Sequence, residues 1–352
     1  MIIRENYSED HIRELQDVSH RDPILIERTL FAFGLLEALV KVGLDFTFKG
    51  GTSLMLLLSK PMRLSTDIDI VVKPGTDVNA YIRKASEIFP FRSGEEHERK
   101  SKGKIEKRHF KFIYDSPVNS GDSLYVLLDI LFEDNNYEQI VEREIANDLL
   151  LTEGENLKVR VPSADCILGD KMTAFAPHTT GIPLGEDKDM EVMKQFYDVN
   201  TLIDEFKDFD CLRKTYFCVA STEIAYRGGK IKPEDALMDT IRTAMCIGSR
   251  GKVRNEDFPF LLNGTREVTH HIYEPGFNME KASMMAPKVI CMAACLLTGT
   301  PFERVTDPEL YKQEDLIGSE IQKLKNIRKM KSAGYAYLVT ADRLLESYQK
   351  KE

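Results

Sequence analysis

Lys49-Gly50-Gly51-Thr52-Ser53-Leu54, followed after an apolar turn by Arg63-Leu64-Ser65-Thr66-Asp67-Ile68-Asp69, decides how the fold is read. Leu44 to Phe48 alternates weakly and is rich in Phe and Thr, which predicts a short strand running into the glycines. The apolar run Leu54 to Leu58 predicts a buried helix opening just after them. Asp67 to Val72 predicts a second strand, stopped by Lys73-Pro74-Gly75.

Glycines without side chains let backbone N–H groups approach a polyphosphate, and the following helix offers its positive N-terminus to the same anion. Gly50, Gly51, Thr52 and Ser53 are therefore the expected phosphate cradle; Arg63 and Ser65 are either further contacts to terminal phosphates or solvated loop positions. No Gly-Lys-Ser/Thr ending follows, so this is not a Walker A loop. Side chains alternate along a strand, which sets Asp67 and Asp69 on one side and Ile68 and Ile70 in the core. Two carboxylates so close raise each other's pKa unless a cation lies between them, and hard oxygen ligands suit Mg²⁺. The plain alternative makes Asp67 a cap and leaves Asp69 in water at a strand edge.

Asp129 adds weight to the metal reading. It interrupts Leu127-Leu128-Asp129-Ile130-Leu131, and a lone carboxylate buried there needs a compensating partner. If its strand lies beside that of Asp67 and Asp69, three carboxylates converge on a two-metal site for Mg²⁺ with a nucleoside triphosphate. The alternative is an ion pair with a base such as Arg108.

Outward from this centre, Ser8 and Asp10 cap a first helix and Pro23 to Val42 forms a second. Further helices are expected at Val78 to Ile88, Ala164 to Phe175 and Asp189 to Phe206, and strands at Lys107 to Tyr114, Leu124 to Phe132 and Leu157 to Val161. From about Asp210 the spacing is helical with few strand signals.

With 42% apolar and 30% charged residues, the 352-residue chain reads as a globular protein of two domains, or of one domain with a large appendage. The net charge of -9 argues against gripping nucleic acid by bulk charge. Two local basic stretches remain, Arg92 to Lys111 and Lys323, Lys325, Arg328, Lys329 and Lys331; each is either an RNA contact or a solvated face. Six cysteines without Cys-x-x-Cys or disulfide-like spacing fit a reducing cytosol and no disulfide-linked partner. Cys291 and Cys295 with His270 and His271 raise the thought of zinc, against the plainer reading of buried thiols in an apolar helix. Met1 to Asp10 has neither a basic leader nor an apolar core, so a cytoplasmic location is expected. The apolar stretch Ala286 to Gly299, broken by Pro287 and Lys288, is expected to be a core helix and no membrane span.

Lys-Gly-Gly-Thr-Ser-Leu, Arg-x-Ser-x-Asp-Ile-Asp, the Leu-Asp-Ile strand, then Asp170-Lys171-Met172-Thr173-Ala174 and Gln195-Phe196-Tyr197-Asp198 together resemble the AbiEii/AbiGii-type nucleotidyltransferase toxins, members of the polymerase-β-like nucleotidyltransferase superfamily. The motifs span about residues 45 to 205. The resemblance implies an α+β fold: a nucleotidyltransferase core with a mixed sheet flanked by helices over residues 1–207, and an α-helical domain over 208–352. It also implies a magnesium-dependent enzyme of type IV toxin–antitoxin or phage-defence systems that moves an NMP from an NTP to an acceptor hydroxyl and releases pyrophosphate. The implied acceptor is RNA, with the tRNA 3′ end as the known case. By position, Asp67 and Asp69 match the metal pair, Asp129 the third carboxylate, and Lys171 with Asp198 the late Lys…Asp element. Lys194-Gln195 stands where relatives carry Arg-Asp, which leaves those two roles open, and the loop Pro177 to Lys188 is either a lid or a surface excursion. A buried Lys171 wants an anionic partner: the triphosphate, or Asp198 in an ordinary ion pair. A small-molecule acceptor and a non-catalytic nucleotide-binding module are the alternatives.

Overall fold

Two capped helices begin the chain, as their sequences require. The Ser8 hydroxyl accepts from the His11 N–H at the start of α1 (Glu9–Ser19), and the Asp22 carboxylate accepts from Ile24 and Leu25 at the start of α2 (Pro23–Lys41), with Pro23 in the first turn. The computed structural model describes residues 1–60, 62–97, 106–330 and 333–350. They divide into two compact units, 1–163 with 270–274, and 164–269 with 275–352.

The first unit is built on β1 (Thr47–Lys49), α3 (Gly50–Leu57), β2 (Ile68–Val72), α4 (Asn79–Ser86), β3 (Ser93–Glu96), β4 (Lys107–Asp115) and β5 (Ser123–Phe132). The strands form one mixed sheet in the order β1-β2-β5-β4-β3, in which β2 and β5 are parallel and the other neighbours antiparallel. A separate hairpin pairs β6 (Ile140–Glu144) with β7 (Lys158–Pro162). The expected α+β class and the strand, turn, helix, strand frame are both present. Strands β3 and β6 escaped the sequence reading: Ser93-Gly94-Glu95-Glu96 has no apolar alternation, and half or more of each strand's residues are charged.

Alternation gives the sheet two different faces. Phe48, Ile68, Ile70, Phe110, Phe112, Tyr114, Leu128 and Ile130 point to one side, where they join Ile26, Leu30, Phe31 and Phe33 of α2 in the core. Phe31 stacks on Tyr114 with ring centroids 3.7 Å apart. The intervening residues face the other, more open side, and that side carries the polar groups. Segment 62–64 is pinned by 271–273: Leu64 N–H donates to the His271 carbonyl at 2.8 Å and Tyr273 N–H to the Met62 carbonyl at 3.0 Å.

The second unit is helical: α5 (Ala164–Ala174), α6 (Asp189–Glu205), α7 (Phe209–Tyr226), α8 (Pro233–Ser249), α9 (Phe258–Val268), α10 (Met279–Thr298) and α11 (Gly334–Gln349). The sequence reading had kept α5 and α6 with the first unit because the motifs run on to Asp198. They pack instead with the later helices, α5 on α7 and α8, α6 on α9 and α10. Burial along nearly the whole length of α5 accounts for this. Helix α10 continues through Pro287 and Lys288 and is long and apolar enough to cross a membrane, yet 72% of its apolar window is buried inside the protein. Its Cys291 thiol is pushed upward in pKa by a hydrogen bond with Cys295 and by burial.

Candidate active site on the open face of the sheet

Strand register lines up four polar side chains. Lys49 pairs with Asp69 across β1 and β2, Asp69 with Asp129 across β2 and β5, and Asp129 with His109 across β5 and β4. Residues directly opposite in a sheet share a face, so Lys49, Asp69, Asp129 and His109 form one row. The sequence reading named the two carboxylates and missed the flanking bases. His109 alternates with Arg108, and only the register shows which of the two meets Asp129.

Asp129 is not sealed among leucines. Leu128 and Ile130 are buried on the core face, whereas the Asp129 side chain remains 31% exposed on the other, with His109 Nδ1 2.6 Å from its Oδ1. An ionised carboxylate only accepts, so Nδ1 carries the hydrogen and donates it. Arg108, the partner weighed from the sequence, turns away and grips both oxygens of Glu96 at 2.7 Å. That grip holds the Glu96 carboxyl below its usual range.

Asp69 is fixed by glycine. Gly50 has φ +80°, and a Cβ placed there would collide with the Asp69 carboxylate. A Cβ on Gly51 would strike the Arg63 guanidinium and lie 2.9 Å from Ser65 Oγ. The pair of glycines therefore lets Asp69, Arg63 and Ser65 close on the first turn of α3, so the expected cradle and carboxylate do meet. Arg63 is buried, and its Nη1 donates to the Leu64 carbonyl at 3.1 Å.

Two expectations change at the hydroxyls. Thr52 and Ser53 are fully buried; Thr52 Oγ1 donates to the Asp67 carbonyl at 2.6 Å and Ser53 Oγ to the Gly50 carbonyl at 2.8 Å. They brace the turn, and what they leave for an anion is backbone N–H. Asp67 precedes β2, with its Oδ1 3.8 Å from Arg28 Nη2 and 3.4 Å from Thr66 Oγ1. Among the described residues no group of three or more His, Cys, Asp and Glu side chains is close enough to hold a metal ion. The three-carboxylate convergence expected from sequence is thus a facing pair, Asp69 and Asp129, with Asp67 drawn toward Arg28. The pair offers a hard, oxygen-only donor set on a partly open face, which fits Mg²⁺.

In the helical unit Lys171 and Asp198 do find each other. Lys171 Nζ lies 2.9 Å from Asp198 Oδ2 and donates to Gln195 Oε1 at 2.9 Å, and both ion-pair partners are buried. Gln195, half of the departure from the family pattern, thereby serves as a second acceptor for the ammonium. The loop 177–188 is tied down at its start. The Arg227 guanidinium donates to the carbonyls of Thr179, Thr180 and Gly181, and His178 Nε2 lies 2.8 Å from Asp257 Oδ2. That anchoring speaks for a fixed surface excursion over a lid.

The basic stretches are partly spent. Arg92 pairs with Asp115 and Arg108 with Glu96, while residues 98–105 lie outside the described ones. In the second run Arg328 is held by the carbonyls of Lys312 and Glu314; Lys331 lies outside the described residues.

A glycine turn opens a helix, closes on an aspartate of the next strand and is faced by a second carboxylate on a parallel neighbour. The family model of the nucleotidyl transferase AbiEii toxin, type IV toxin–antitoxin system, matches residues 34–262, and the chain belongs to that family. No curated protein matches it.

Proposed function

We propose that the protein transfers an NMP from an NTP to the terminal hydroxyl of an RNA, the tRNA 3′ end being the acceptor implied by the family resemblance, with release of pyrophosphate. The observation that supports this best is the closure of Asp69 onto Gly50 with Asp129 directly opposite. Asp69 and Asp129, the facing pair, would hold Mg²⁺. The ion supplies, when bound, electrostatic stabilisation of charge developing on the phosphate oxygens.

The chain's own groups do the rest. Backbone N–H groups of Gly50 and Gly51, at the positive end of α3, receive the β- and γ-phosphates, with Arg63 and Ser65 beside them. Asp129, oriented by His109, accepts the proton of the acceptor hydroxyl. That oxygen forms the new bond to the α-phosphorus as the bond to the β-phosphate oxygen breaks, and pyrophosphate leaves toward the glycine turn. Lys171 and Asp198 are assigned the part of holding each other and Gln195 within the helical unit.

Incubation with each α-labelled NTP, Mg²⁺ and total RNA tests the reading. Label should enter RNA with the wild type and not with Asp69→Ala. Equal labelling by both proteins sinks the carboxylate assignment, and label confined to small molecules moves the acceptor to that class.

A further inference from the structure

Beyond the carboxylates, the same sheet face carries an aromatic platform between two cations. Tyr125 lies on β5 four residues before Asp129 and pairs with Ile113 of β4, so it shares the face of Asp129 and His109. Tyr125 is 40% exposed although it sits on a central strand. Lys111 Nζ stands 4.5 Å from the ring centroid and the Arg28 guanidinium 6.0 Å from it. Arg28 also lies 3.8 Å from Asp67, and its buried Nε–H has no hydrogen-bond partner among the described residues. A partly exposed guanidinium and an ammonium beside an exposed ring are suited to a ligand that brings both a phosphate and a flat base.

The sheet order decides which reactant this is. The glycine turn follows β1, on one side of the Asp69–Asp129 pair; Lys111 lies on β4, on the other, with its ammonium over Tyr125, which stands on the strand of Asp129 itself. In-line transfer needs the leaving pyrophosphate and the attacking hydroxyl on opposite sides of the α-phosphorus. The donor phosphates occupy the glycine side, which leaves the Lys111 side to the acceptor.

We infer that Arg28, Lys111 and Tyr125 form the acceptor-strand subsite, in which an unpaired nucleotide near the 3′ end of an RNA stacks on Tyr125 while Arg28 and Lys111 meet its phosphates. This rests on the nucleotidyl-transfer reading for the roles of the two sides. Stacking of a base on an aromatic ring is tolerant of sequence, so the subsite selects a single-stranded end over a duplex and adds little base preference. It also explains how a chain of net charge -9 engages RNA: through a few placed cations beside the reacting carboxylates and without a broad basic surface.

The test is fluorescence anisotropy of a short fluorescein-labelled single-stranded RNA with the full chain, without NTP, for wild type, Tyr125→Phe, Tyr125→Ala and Lys111→Ala, each checked for an unchanged melting transition. Tyr125→Phe should bind within about twofold of wild type and Tyr125→Ala roughly 5- to 150-fold more weakly, the value of one base stack. Lys111→Ala should lower the slope of log affinity against log salt by about one. Equilibrium dialysis with labelled NTP should show the same affinity for Tyr125→Ala as for wild type. The subsite is overturned if wild type binds no RNA, if Tyr125→Ala binds it as well as wild type, if a blunt duplex binds equally, or if NTP affinity falls in parallel with RNA affinity. A wild type that binds RNA through Tyr125 but transfers no nucleotide sinks the transfer reading and leaves the subsite standing.

Discussion

Asp69 and Asp129 stand directly opposite each other on the parallel strands β2 and β5, like charges on one open face. Without a cation each carboxylate raises the free energy of the other. Asp69→Asn and Asp129→Asn should therefore each cost transfer about a hundredfold or more, while raising or leaving unchanged the melting temperature in EDTA. Scanning calorimetry beside the transfer assay separates the two effects. A variant that melts well below wild type in EDTA would show the pair to be structurally required.

Magnesium should restore what the pair lacks. For wild type, Mg²⁺ is expected to raise the melting temperature, and the rise should shrink or vanish in Asp69→Asn, because a ligand that binds only the folded state stabilises it by mass action. An equal rise in both proteins would place the ion elsewhere.

Gly50 and Gly51 should respond differently to alanine. At Gly50 the positive φ and the Asp69 carboxylate both resist a Cβ, so Gly50→Ala should lose about 1–3 kcal/mol of stability along with activity. Gly51 has no positive φ, and the groups a Cβ would meet are side-chain ends of Arg63 and Ser65, which can move. Gly51→Ala should keep most of its stability and lose activity. Urea unfolding of the two variants reads the contrast, and equal destabilisation would contradict it.

Much of this arrangement could be read from the chain. Alternation placed Ile68 and Ile70 inside and Asp69 outside, and the glycines announced a close approach. What approaches Gly50 could not be read, because it depends on a register between residues far apart in sequence. The same holds for His109: Arg108 and His109 are adjacent candidates, and one pleat decides between them. Thr52 and Ser53 misled for a local reason, since hydroxyls in the first turn of a helix bond as readily to nearby carbonyls as to a ligand. Tyr125 drew no attention because a tyrosine in an apolar strand reads as core until its face is known.

The buried Lys171–Asp198 pair should behave as a structural unit of the helical part. Lys171→Met leaves Asp198 buried without its partner and should cost about 3–5 kcal/mol, whereas Lys171→Met with Asp198→Leu should recover most of that loss. Urea denaturation of the two variants distinguishes this from additive losses, which would show that the pair contributes nothing as a pair.

Glu27 offers a test of pH dependence. It is buried beneath the sheet, where it accepts from Ser116 Oγ at 3.0 Å, and burial raises its pKa above the ordinary value. The folded state thus binds the proton more tightly than the unfolded chain. This contribution to stability is complete below the unfolded pKa of about 4.3 and is lost as pH rises through the folded value. Glu27→Gln, always neutral, should therefore melt higher than wild type at pH 8, with the difference shrinking toward pH 4. A difference independent of pH would contradict the assignment.

The most direct measurement of the central claim is transfer of label from an α-labelled NTP to RNA by wild type and by Asp129→Asn, each with Mg²⁺ and with EDTA. The facing carboxylates predict label at RNA 3′ ends for wild type with Mg²⁺ alone, and background for the other three reactions. Label transferred by Asp129→Asn at the wild-type rate, or by wild type in EDTA, would contradict the site proposed between β2 and β5.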